Sequence, residues 1–377
     1  MYPTWSRAGG HNMSRNKIEM SKYIFARIHE SASSVDSMYI ADNEIRWLAR
    51  KDDDDLNLMI NAEVNVLILG AKTFAVSIKN GSDTYFCFSG LVVPEQLPAN
   101  LSEIELTPGL FSCVVYTANL PALATAAQAR DILEQQYSGQ EGYGGHEIDE
   151  VAPLFPKLYF VKANENISTN YLNNLERVAG AFISAGYVSY PLEVNDNLKL
   201  RLLSLFEAGA ETIPFALPLQ GILSYNWPSL FLDLYRCLEQ LYTALKLKSL
   251  VTKLPYQGAL ADLAYLLEEE LSWRPKEQDA LASILSHSTE GTRSKILSAF
   301  KFDVSELTEY SASKCAANIY KLRNSHVHFR PAMKADNKSG EQWNDIMIAM
   351  CDAIDDVYEA LGVEFLIDKT KLQSTNQ

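Results

Sequence analysis

Short runs dense in β-branched and aromatic residues dominate the first part of the chain. Tyr23–Ile28, Met38–Ala41, Ala62–Ile68, Phe74–Ile78, Thr84–Phe88 and Phe111–Tyr116 each read as a strand bounded mostly by turn formers. Asn80-Gly81, just after Ile78, predicts a tight hairpin, because both residues tolerate positive φ. The pattern then changes. Residues 121–136 are rich in Ala, Leu and Gln and predict a helix, and Leu158–Val161 returns to strand. Ser138–Glu150 is Gly-rich and acidic and predicts a solvated loop; Asp52–Asp55 predicts an exposed turn.

From about residue 170 the apolar positions recur at helical spacing. Tyr171–Ala185, residues 196–209, Phe231–Leu245, Ala259–Leu271, Ala280–Leu285, Glu306–His328 and Gln342–Leu361 are the expected helices. Pro228 suits a first helical turn, and Gly362 is the expected C-terminal stop of the last helix. The pattern therefore predicts an α+β chain, with a loose arm over 1–20, a β-rich mixed domain over 21–190 and an all-helical bundle over 191–377.

Composition narrows the picture. A hydrophobic fraction of 47% supports substantial cores. The apolar stretches are too short to span a bilayer, and Met1–Met20 lacks the apolar segment of a secretory leader, so the expectation is a cytoplasmic protein with no membrane partner. Five widely spaced cysteines without a CxxC pair read as core residues rather than a zinc site or nucleophile. A net charge of −14 argues against a broad nucleic-acid-binding surface but leaves room for a small local site. No phosphate-binding glycine loop is present, and no cofactor is expected. His146 with Glu147 and Asp149, and His326 with His328, are candidate metal ligands; a solvated loop is the plainer reading of the first, and no neighbouring carboxylate completes the second.

The informative stretch is Ile319–Pro331. Ala312, Cys315, Ala316, Ile319 and Leu322 form an apolar stripe that reaches His326 at helical spacing. Asn324 and His328 share another face one turn apart, with Arg323 at the border. Arg-Asn followed by three residues and His, on a late helix, resembles the signature of HEPN domains at Arg323, Asn324 and His328. The resemblance spans roughly 195–365, with Phe231–Leu245 similar to a central helix of that bundle. It implies a homodimer in which two motifs face each other and cleave RNA without a metal, in a toxin or anti-phage defence role, with an inhibitory or activating partner. Under it, His328 would move protons, Arg323 would bind the phosphate, and Asn324 would orient one or the other. From Ser311 to Gly340 there are six Lys and Arg residues against Asp336 alone, which is compatible with an RNA substrate. Two plainer readings stand beside it. Arg323 could pair with Glu239 or Glu306 inside the bundle, and the domain could serve dimerisation or partner binding without catalysis. Arg236 and Glu239 read as a surface ion pair, and Trp227, Trp273 and Trp343 as core.

Overall fold

A computed structural model of the chain describes residues 16–32, 45–135, 139–165, 167–190, 192–254, 256, 258–302, 311–327 and 338–367. The architecture is α+β, in two compact units, one running to Leu175 and the other starting at Glu176. The first unit opens with α1 (Lys17–Ala32), where Tyr23–Ile28 was expected as a strand. The helix is explained by a wider window: Met20, Ile24 and Ile28 fall four residues apart and are all buried. The strand expected at Met38–Ala41 lies outside the described residues.

Helix α2 (Asp53–Asn61) begins within the acidic run. Asp52 is its N-cap and accepts from the Asp55 amide at 2.8 Å, so Asp52–Asp55 is a helix start rather than an exposed turn. Strands β1 (Glu63–Gly70), β2 (Thr73–Asn80), β3 (Asp83–Ser89), β4 (Leu101–Glu103) and β5 (Leu158–Ala163) form an antiparallel sheet in the order β1-β2-β3-β5-β4. The β2–β3 hairpin closes Asn80 against Asp83, with Gly81 at φ +60°, as the Asn-Gly pair predicts. Alternate residues Val64, Val66, Phe74, Val76, Ile78, Cys87 and Phe160 line one face. They share a core with α1, α2, α3 (Pro108–Thr117) and α4 (Ala126–Gln135).

Helix α3 replaces the strand expected at Phe111–Tyr116. Thr107 caps it, Pro108 occupies its first turn, and Leu110, Phe111, Cys113, Val114 and Val115 are all buried. A helix buried all round loses the periodicity that would distinguish it from a strand. Asp55, itself 7% exposed, fastens α2 to α3 by accepting the Gly109 amide at 2.9 and 3.0 Å. Burial pushes its carboxyl up while that amide and Thr107 draw it down. Asp55→Ala removes the acceptor and is expected to cost roughly 2 kcal/mol in urea denaturation. A loss no larger than that of an exposed-surface alanine would show that α3 does not depend on it.

The expected solvated loop is corrected at His146. Its amide donates to Trp47 O and its carbonyl accepts from Ala49, both at 2.8 Å, in a parallel bridge. The imidazole is fully buried against Phe25 and Tyr143. Gly145, at φ +108° and pressed on Trp47, permits that approach. Short helices α5 (Ile148–Val151) and α6 (Thr169–Asn173), with a 3-10 turn over Ala152–Leu154, complete the unit's described elements.

The second unit is built of α7 (Leu175–Ala185), α8 (Asp196–Ala208), α9 (Ala216–Leu223), α10 (Trp227–Glu239), α11 (Ala244–Val251), α12 (Leu260–Leu271), α13 (Glu277–Leu285), α14 (Glu290–Ala299), α15 (Ser311–Val327) and α16 (Gly340–Leu366). The boundary drawn from the sequence at 190–191 follows α7, which this compact unit includes from Glu176 onward. Helix α16 packs on α8, α10 and α14, and α15 packs mainly on α13. Asn226 caps α10 and Pro228 sits in its first turn. The apolar stripe expected over 231–245 continues into α11, but through a tightened turn in which Leu241, Tyr242 and Ala244 each donate three residues back. Gly362 lies inside α16 instead of ending it. A side chain there would overlap the Thr212 hydroxyl, so the glycine serves close packing. Arg201 on α8 pairs with Asp352 at 2.5 Å and with Asp355, and Lys295 on α14 reaches Asp352 at 2.6 Å. These pairs fix α8 and α14 to α16. All five cysteines are free thiols and buried.

Candidate functional site

The stripe read from α15 holds: Ala312, Cys315, Ala316, Ile319 and Leu322 are all buried. Anchoring that face leaves Arg323 half-buried at the helix margin, its side chain 16% exposed. The guanidinium donates from Nη1 to Asn324 Oδ1 at 3.1 Å. It stands 5.7 Å from the Tyr235 ring centre. Two carboxylates flank it, Glu277 at 3.5 Å and Glu239 at 3.8 Å. Both separations exceed the 2.7–2.9 Å of a direct charge-assisted hydrogen bond.

Three helices converge here. Tyr235 and Glu239 are one turn apart on α10, so they share a face. Glu277 opens α13. Tyr242 donates its hydroxyl to that of Tyr235 at 2.7 Å, which fixes the ring under Arg323. Burial pushes the Tyr235 hydroxyl up to about 12, leaving it protonated at neutral pH. Burial also raises the Glu239 carboxyl, and Glu277 adds to the effect, while Arg323 opposes it.

His326 follows the core stripe, as its spacing predicts. Its ring lies 5.7 Å from Trp343 and 6.5 Å from Phe231. Trp343 is buried and stacks on the half-buried Trp227, nearly parallel at 6.3 Å; Trp273 is half-buried too. His328 lies outside the described residues, as do Arg330, Lys334, Asp336 and Glu306. Of the three residues expected to form the site, the structure brings together Arg323 and Asn324.

One pairing differs from expectation: Arg236 bonds Asp233 at 2.6 Å rather than Glu239, while Glu239 lies beside Arg323, as the plainer reading of that arginine allowed. Glu277 was not foreseen, because it is distant in sequence and opens a separate helix. Its position in the first turn of α13 carries no signal of a partner on α15. Among the described residues, no three His, Cys, Asp or Glu side chains are grouped to hold a metal ion, and no helix is long and apolar enough to cross a membrane.

The arrangement can present a planar cation and an amide together at a helix end, with an acidic pair balancing the charge. No protein-family model matches this chain, nor does any curated protein or solved structure.

Proposed function

We propose that the helical unit is a HEPN-like, metal-independent endoribonuclease that works as a homodimer, with Arg323, Asn324 and His328 as its active site. The observation that carries this reading is the Arg323–Asn324 pair. The two side chains are joined at 3.1 Å, while the ion pairs to Glu239 and Glu277 are long enough for Arg323 to turn toward a phosphate. RNA brings its own nucleophile. The 2′-oxygen attacks the adjacent phosphorus and gives up its proton, the bond to the 5′-oxygen breaks, and that oxygen gains a proton. The products are a 2′,3′-cyclic phosphate and a 5′-hydroxyl. Arg323 neutralises charge on the pentacoordinate phosphorus. His328 transfers protons near neutral pH. A toxin or anti-phage defence role, held in check or triggered by a partner, follows from the same resemblance.

A second reading is favoured by a specific observation. Arg323 set between two carboxylates and over a tyrosine is also how a structural arginine sits, in a helical module used for dimerisation or partner binding.

The test is to incubate the purified full chain with total RNA and tRNA in EDTA, beside His328→Ala. Cleavage by the parent alone, leaving cyclic-phosphate ends, is the expected result. Cleavage that stops in EDTA, or that persists in His328→Ala, overturns the proposal. Sedimentation of the inactive chain as a dimer with intact RNA would support the second reading.

A further inference from the structure

Helix α12 carries more apolar surface than its own bundle covers. Leu263, Leu266, Leu267 and Leu271 fall at i, i+3, i+4 and i+8, which sets them in one stripe. The helix packs mainly on α11 and α16, and that packing covers only the start of the stripe. Leu263 is 9% exposed and Leu267 half-buried, but Leu266 is 46% and Leu271 68% exposed. The stripe thus keeps the spacing of a core contact beyond the point where this chain supplies one. We propose that a second copy of α12, antiparallel about a two-fold axis, covers it. The contact requires that two copies associate, as the proposed ribonuclease does, but not that they cleave RNA.

Self-complementarity selects the occupant. A two-fold contact brings one surface against itself, so each feature must find its complement on the same surface. The leucines meet that demand directly. The charges meet it when the copies run antiparallel. Glu268, Glu269 and Glu270 crowd the last turn of α12, where the helix dipole disfavours anions. Glu268 reaches Arg274 and Glu269 accepts from the Tyr265 hydroxyl, while Glu270 is exposed and has no partner among the described residues. At the other end, the start of α12 has no side-chain cap, and the exposed Lys253 and Leu254 precede it. Asp262, the acid of the first turn, lies off the stripe. Laid antiparallel, the glutamates of each copy face the uncapped start and the Lys253 of the other, and Leu271 faces Leu254. A parallel pairing would set glutamates against glutamates.

Sedimentation equilibrium of the full chain over a concentration series tests the contact. A weak monomer–dimer equilibrium is expected, because one helix face is at the small end of specific interfaces. Leu266→Glu combined with Leu271→Glu should raise the dissociation constant about tenfold or more. Both side chains are exposed in the single chain, so an unchanged melting temperature in dilute solution checks that the fold survives. Glu270→Lys and Lys253→Glu should each weaken association about fivefold. The two together should restore it. About 15 Å of helix separates Glu270 from the start of α12, beyond the screening length of about 8 Å at physiological salt, so restoration requires a second copy. A chain that stays monomeric, or a double charge variant that fails to recover, overturns the arrangement. A dimer indifferent to the leucine variants overturns it as well; if that dimer still cleaves RNA, the ribonuclease reading stands and its interface lies elsewhere.

Discussion

Replacing Arg177 with methionine is expected to lower the unfolding free energy of the helical unit by about 3–5 kcal/mol, a large fraction of a typical domain's stability. Arg177, on α7, is 6% exposed. Its Nε donates to Phe206 O at 2.6 Å, and its Nη2 to Gly209 O at 2.7 Å and Glu207 O at 3.1 Å. The last carbonyls of a helix have no intrahelical donor, and a cation favours that end of the dipole. One guanidinium thus completes the end of α8 and lies against the Phe215 ring at 4.7 Å. Methionine keeps the stem but strands three carbonyls. Arg177→Lys should recover only part of the loss, since one ammonium cannot reproduce the planar fork. Urea denaturation measures both. A loss for the methionine variant below about 1 kcal/mol would mean that water replaces the guanidinium at little cost.

Under the proposed ribonuclease function, Arg323→Ala is expected to reduce RNA cleavage about 10²–10³-fold while costing only about 1–2 kcal/mol of stability. The stability deficit should depend on pH in a defined direction. The Glu239 carboxyl is already raised in the folded chain, chiefly by burial, and Arg323 is the first influence opposing the rise. Removing Arg323 raises it further. A carboxyl raised in the folded state contributes stability that is fully present below its unfolded value, 4.5, and is lost as pH climbs through the folded one. The deficit of Arg323→Ala should therefore shrink on acidification from neutral pH toward 4.5. Adding Glu239→Gln should reduce that pH dependence, leaving what Glu277, at 3.5 Å from Arg323, contributes. A deficit that grows in acid would show that the carboxylates do not depend on Arg323. Full stability loss with no change in cleavage would assign the arginine to packing alone.

What was legible in the chain followed from how local its cause was. The hairpin was fixed by two adjacent residues, Asn80 and Gly81, and the helices of the second unit by stripes long enough to show their period. The helix α1 was missed because a six-residue window holds too few turns; Met20 lies just outside it. The helix α3 was missed because every position was apolar, although Thr107-Pro108 was a usable start signal. Asp52 was a start signal as well, hidden in a run of identical residues. The burial of His146 depends on Trp47 and Phe25, which no local pattern connects to it. At the candidate site, Arg323 and Asn324 come from the motif that carries the resemblance, and Glu239 was one of two pairing candidates for Arg323, but Glu277 enters only through packing of α13 on α15.

The thiols give the two units separate reporters. Cys87 and Cys113 lie in the first unit, and Cys237, Cys315 and Cys351 in the second, all buried. Burial raises Cys87 and Cys237 well above a free thiol, and brings Cys315 and Cys351 to about 12. A buried, protonated thiol is a poor nucleophile. An alkylating reagent therefore meets these sulfurs mainly when the surrounding structure opens, so each modified cysteine timestamps a fluctuation of its own unit. The chain carries a built-in record of which half loosens first, written in sulfur chemistry and readable by mass.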